Sequence, residues 1–161
     1  MRPGAIILAI AVCAPRAVRA DGVTATVGGG LDVAHDGTGV AWGTRVTIGS
    51  RDLLGLELGF VGTDHALAGG GSLDGNAVDA AVRLAPWPRH AWTPYAFAGL
   101  GWQRYDTSGS MMRAPADAPT WPAGGGLQFR LGGGVVLDAR ATYRASTIDS
   151  WTAGASLGLE L

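Results

Sequence analysis

The chain has 161 residues, 27 of them glycine, and its charged residues amount to only 16%. Soluble domains carry nearer a quarter. Twelve basic residues, all arginine, are dispersed among 13 acids, so no basic cluster exists to hold nucleic acid. One cysteine, Cys13, rules out a disulfide framework.

Residues 1–20 have the plan of a secretory signal peptide. Arg2 supplies the positive start, 4–14 is apolar, and Val18-Arg19-Ala20 places short residues before a cut. The run falls short of the ~20 apolar residues that a spanning helix needs, which argues against a retained anchor. A lipoprotein signal at Cys13 is disfavoured because Val12 is bulky. Cleavage after Ala20 leaves 21–161 as one domain without cysteine, with nine arginines against 13 acids and a formal charge of −4.

From there the hydropathy alternates with a period of two, so that successive side chains take opposite faces of a strand. In 23–34, Val23, Ala25, Val27, Leu31 and Val33 oppose Thr24, Thr26 and Asp32. In 40–49, Val40, Trp42, Val46 and Ile48 oppose Arg45 and Thr47; in 54–62, Leu54, Leu56, Leu58 and Phe60 oppose Glu57. In 76–84, Val78, Ala80, Val82 and Leu84 oppose Asp79 and Arg83. The segment 94–104 has bulk on both parities, and its faces stay unassigned. In 123–131, Leu127, Phe129 and Leu131 oppose Gln128 and Arg130. In 135–144, Val135, Leu137, Ala139, Ala141 and Tyr143 oppose Val136, Asp138, Arg140, Thr142 and Arg144. In 151–161, Trp151, Ala153, Ala155, Leu157, Leu159 and Leu161 oppose Thr152, Ser156 and Glu160.

Eight strands follow, each near the ~9–11 residues of a tilted membrane strand rather than the ~5–6 of a soluble one. The turns at 50–53, 85–92 and 132–134 alternate with connections at 35–39, 63–75, 105–120 and 145–150. Short turns at one rim and longer loops at the other are the outer-membrane arrangement, with both ends of the barrel at the periplasmic rim. The predicted fold is an all-β, eight-stranded antiparallel transmembrane β-barrel with up-and-down meander order.

The aromatics fall near strand ends. Trp42, Phe60, Trp102, Trp121, Tyr143 and Trp151 sit toward the long loops, and Trp87, Trp92, Tyr95 and Phe129 toward the short turns, with Phe97 mid-strand. Indole and phenol rings favour the membrane–water boundary, so two girdles are expected. A soluble barrel that caps its strands with aromatics is the plainer alternative, but soluble cores bury aromatics mid-element. The charged parity comprises Asp32, Arg45, Glu57, Asp79, Arg83, Arg130, Asp138, Arg140, Arg144 and Glu160. Arginine at the lipid-facing midplane costs roughly 2–4 kcal/mol, so a membrane barrel turns these ten inward, where they would pair and close the lumen to free diffusion. For any one of them alone, a solvated surface position is the ordinary fate.

The stretch Thr93-Pro94-Tyr95-Ala96-Phe97-Ala98-Gly99-Leu100-Gly101-Trp102 resembles the Pro-Tyr…Gly-x-Gly strand of small outer-membrane barrels. Gly124-Gly125-Gly126-Leu127-Gln128-Phe129-Arg130-Leu131 with Val136-Leu137-Asp138-Ala139-Arg140-Ala141-Thr142-Tyr143-Arg144 resembles the penultimate hairpin of the same family. That family includes OmpA-type transmembrane domains and porin-like, opacity-type surface proteins. The resemblance spans nearly all of 21–161 and implies an eight-stranded barrel placed in outer-membrane lipid by the barrel-insertion machinery, acting on the C-terminal strand. Such barrels usually end in an aromatic residue; Leu161 stands there instead, after the apolar alternation of Gly154, Leu157 and Leu159. A following peptidoglycan-binding domain is not expected.

Signs of catalysis are few. His35-Asp36 and Asp64-His65 fall in the first two outer loops, where two His–Asp pairs would meet as a metal or acid–base site, or stand as solvated loop residues. The expectation is the latter, with no metal, cofactor or catalytic residue. Ser108, Ser110 and Ser146 have no neighbouring histidine, and His90 accompanies Trp87 and Trp92 at the opposite rim. Gly28-Gly29-Gly30 and Gly69-Gly70-Gly71 open no helix and are not phosphate loops. Three functions are weighed: a structural or surface-interaction protein contacting a ligand through 63–75 and 105–120, with Met111 and Met112 in the latter and Trp121 just after it; a lipid-modifying rim enzyme using His35 or His65; and a soluble periplasmic barrel binding an apolar ligand inside.

Overall fold

The computed structural model describes residues 22–34, 37–66, 71–108 and 117–161. The signal-like segment, His35, Asp36, Ser110, Met111 and Met112 lie outside the described residues. Eight strands follow in chain order: β1 (Val23–Ala34), β2 (Gly37–Ile48), β3 (Leu54–Ala66), β4 (Ser72–Leu84), β5 (Trp92–Ser108), β6 (Asp117–Gly132), β7 (Val135–Ala145) and β8 (Ser150–Glu160). Each pairs antiparallel with its sequence neighbour, and β1 closes on β8 from Thr24↔Glu160 to Ala34↔Ser150. Closure leaves no edge along the spanning region, as hydrocarbon requires of a sheet.

The faces are inverted relative to a soluble barrel. Val27 and Leu100 are 61% and 59% exposed on the outer wall, whereas Asp32 and Arg83 are 1% and 2% exposed inside. A soluble barrel around an apolar ligand needs the reverse, and this orientation excludes it. The tight β6–β7 turn forms because Gly132, Gly133 and Gly134 all take positive φ, which a Cβ would strain. A register shift between Arg130 and Gly132 accompanies it.

The outer connections are shorter than their composition suggests. β3 and β4 leave only 67–71 between them, and β5 and β6 only 109–116, against the expected 63–75 and 105–120. Alternating hydropathy stops where lipid stops, but pairing continues. Asp64, Asp74 and Asp106 face outward into water while Leu73, Tyr105 and Ala118 are buried inside. Polar residues outside a strand read as loop, although the ladder continues through them.

Candidate functional site: the charged lumen

All ten predicted luminal charges point inward, and they fall into three layers. At the periplasmic end Glu160 is the acceptor. Its carboxylate takes hydrogen bonds from Ser50 Oγ at 2.8 Å, Arg51 Nη2 at 3.0 Å and Arg130 Nε at 3.0 Å. Arg130 also donates to the His90 and Ser50 carbonyls at 2.9 and 3.0 Å. The β2–β3 turn, the β4–β5 turn and the C-terminal strand are thereby laced across one rim.

The middle layer crosses the barrel. Arg140 on β7 donates to Glu57 on the opposite wall, β3, at 2.6 Å. Arg45 Nη1 donates to Asp138 at 3.2 Å, and Arg45 and Arg83 each approach Glu57 to 3.8 Å. Arg83 Nη2 donates to Gln128 at 2.7 Å. Between the guanidiniums lie two rings. Tyr95 Oη donates to Asp138 at 2.7 Å under Arg83, and Arg140 stacks 3.2 Å above Phe97. Cation–π contact and charge-assisted hydrogen bonds are both strengthened where water is excluded.

In the outer layer Arg144 Nη2 reaches Asp79 at 2.5 Å, from β7 to β4. Asp32 accepts from Thr152 Oγ1, and its other oxygen lies 3.0 Å from His65 Nε2. Between this layer and the middle one is a cavity of about 80 Å³, bounded by Gly28, Gly30, Thr142, Thr152 and Ser156 among others. Glycines on β1 leave this room beside the struts.

Tyr95, expected in the periplasmic girdle, is instead only 7% exposed inside the lumen. The unassigned parity of β5 is the cause. Thr93, Tyr95, Phe97, Gln103 and Tyr105 face inward, and Trp92, Leu100 and Trp102 face outward. The inner rings fit because β6 opposes them with glycine, in the register Tyr95↔Gly126 and Phe97↔Gly124. A Cβ at Gly126 would stand 2.5 Å from Tyr95 Oη, and one at Gly124 would stand 2.9 Å from the ring tip of Phe97. The Gly124-Gly125-Gly126 run was the available signal: small residues beside a strand with bulk on both parities.

The other nine aromatics point outward. Trp42, Trp87, Trp92, Trp102, Trp121 and Trp151 are each more than half exposed, while Phe60, Phe129 and Tyr143 are half-buried against neighbours. Trp42 packs on Phe60 at 5.4 Å, Trp87 on Trp92 at 6.0 Å, and Tyr143 on Trp151 at 5.0 Å.

His65 does not stand in a solvated loop. It lies in β3, buried and facing the lumen, away from any lipid substrate. Ser108 ends β5, and Ser146 Oγ donates within its own turn to the Ile148 carbonyl at 2.9 Å. Among the described residues no three histidine, cysteine or acidic side chains group to hold a metal ion.

An apolar outer wall, a charged interior and closed antiparallel strands define an outer-membrane β-barrel protein. The family model of the outer membrane protein beta-barrel domain matches residues 4–160, and the chain belongs to that family. Among solved structures, the chain is similar to the N-terminal β-barrel domain of Pseudomonas aeruginosa OprF, at 17% identity and a TM-score of 0.68 over 87% of this chain and 97% of that one. Neisserial surface protein A is 13% identical with a TM-score of 0.68, covering 86% and 95%. The attachment invasion locus protein Ail of Yersinia pestis is 14% identical with a TM-score of 0.66, covering 87% and 98%. At such identities the likeness is one of fold. No curated protein matches the chain significantly.

Proposed function

We propose that the protein is a non-enzymatic outer-membrane barrel whose lumen is closed by paired charges and whose outer connections serve a structural or surface-interaction role. It reaches the membrane through a signal peptide cleaved after Ala20 and through insertion machinery that reads the C-terminal strand. The observation that carries this reading is the Arg140–Glu57 strut between opposite walls, flanked by Arg45–Asp138 and Arg144–Asp79. An eight-stranded interior is only wide enough for side chains to fill, and here charged pairs fill it. The outward tryptophans are suited to the two lipid–water boundaries. The rim-enzyme reading loses support because His65 turns from the lipid into a pair with Asp32.

Two measurements test the proposal. Purified monomer in planar bilayers is expected to give little conductance, and large stable channels would contradict the closed lumen. Replacing 109–116 by a short Gly-Ser turn is expected to leave folding intact while abolishing adhesion to host cells or matrix. An unchanged adhesion phenotype removes that connection from the account.

A further inference from the structure

We propose that His65 is a proton-operated charge balance for the outer layer of the lumen, keeping it neutral and closed when protonated and loosening it when neutral. The inference rests on the closed-lumen reading and adds a regulation to it. Among the described residues the layer holds two carboxylates, Asp32 and Asp79, and one guanidinium, Arg144, committed to Asp79 at 2.5 Å. The imidazole decides the sum: charged, it leaves the layer at zero; neutral, it leaves one negative charge in excess.

The pairing is built into the wall. His65 on β3 passes over β2 to reach Asp32 on β1, with Nε2 3.0 Å from Oδ2. It crosses at Gly39, where a Cβ would stand 2.8 Å from His65 Cδ2. The two side chains are 4% and 2% exposed, so bulk water cannot disperse a surplus charge there. Among the described residues, the groups around the pair offer no substitute cation. Gly39 lies beneath it, Leu73 of β4 stands opposite in register, Tyr105 of β5 and Thr152 and Ser150 of β8 are uncharged, and Asp64 on the same strand faces outward. Deeper in the lumen, Arg45 and Arg140 are engaged by Asp138 and Glu57.

The part that yields is the Arg144–Asp79 strut. Among the described residues Asp79 Oδ1 and Arg144 Nε make no hydrogen bond, so one contact holds the tie, and the His65 ring nitrogens make none either, so His65 meets Asp32 as an ion pair alone. An uncompensated Asp32 competes for the same guanidinium and draws it from across the lumen. Histidine changes charge between about pH 5 and 8. Because the protonated form is paired only in the folded barrel, the stabilisation is complete at the acid end and fades as pH rises.

The test is the thermal unfolding of the detergent-folded barrel at about pH 5.5 and 8, read as the heat-dependent gel shift, in the wild type, His65→Gln and Asp32→Asn. The wild type is expected to melt about 3–6 °C higher at the acid pH. His65→Gln is expected to melt at the lower value at both. Asp32→Asn removes the surplus carboxylate and is expected to lose the pH dependence. A flat wild-type profile, or one retained in either variant, overturns the proposal. Should His65→Gln fail to fold, histidine NMR of the folded wild type decides: an imidazole at position 65 charged at both pH values, or at neither, overturns it. Conductance separates the inference from the reading beneath it. Large, pH-independent wild-type channels overturn the closed lumen. Small conductance that rises with pH in the wild type, and is raised at both pH values in His65→Gln, supports both ideas. Small conductance indifferent to pH overturns the His65 balance alone.

Discussion

Glu57→Gln is the sharpest test of a lumen held by charge. Glu57 is 4% exposed, takes a 2.6 Å hydrogen bond from Arg140, and lies 3.8 Å from both Arg45 and Arg83. In the wild type this layer sets three guanidiniums against Glu57 and Asp138; the variant leaves Asp138 alone against all three. A charge-assisted hydrogen bond by itself is worth about 1.5–3 kcal/mol. Stranding a buried charge raises the expected loss to about 3–5 kcal/mol. The assay is equilibrium urea unfolding of vesicle-inserted protein, followed by tryptophan emission and gel mobility. Glu57→Gln/Arg140→Met carries the same net charge in the layer as the wild type and is expected to recover at least half of the loss. A loss below about 0.5 kcal/mol in the single variant, the range of ordinary surface substitutions, would refute the reasoning. So would a loss that disappears in about 1 M salt, since that is how solvent-exposed pairs behave.

Ala139, on the lipid face beside Arg140, gives the complementary perturbation: Ala139→Arg is expected to cost roughly 2–4 kcal/mol in the same unfolding assay, since it places on the outer wall the charge its neighbour carries inside. Gly126→Ala brings a methyl group to 2.5 Å from both the Ala139 carbonyl oxygen and Tyr95 Oη and should destabilise by about 1–3 kcal/mol; full stability would show that neither the strand pairing nor the ring needs that space. Tyr95→Phe removes one hydrogen bond to a buried carboxylate that keeps Arg45, and a cost of about 1.5–3 kcal/mol is expected from denaturation curves. Quenching of tryptophan emission by lipids brominated at graded depths should be strongest for labels near the headgroups, because all six tryptophans face outward and indole rings favour the lipid–water boundary. Maximal quenching from the bilayer centre would contradict the girdles.

Strand number, order and the lipid face of seven strands follow from sequence alone, because a strand's period of two is local and the solvent on each side selects the residue type. Val135 to Arg144 shows it: every second residue is apolar, the rest are mostly polar, and the structure sets them outside and inside as the alternation requires. Periodicity could not fix β5, because the lumen also accepts aromatic bulk wherever a neighbouring strand offers glycine, as Gly124 and Gly126 do for Phe97 and Tyr95. Nor could it find the outer ends of β3 to β6, where both faces of the ladder tolerate polar residues. Which charges meet was decided by tertiary structure alone. The partners of Glu57, Asp79 and Asp138 come from strands up to half the barrel away, and barrel closure and stagger bring those strands to one height. The same closure carried His65 from an apparent loop into contact with Asp32, a pairing between side chains 33 positions apart that no local pattern encodes.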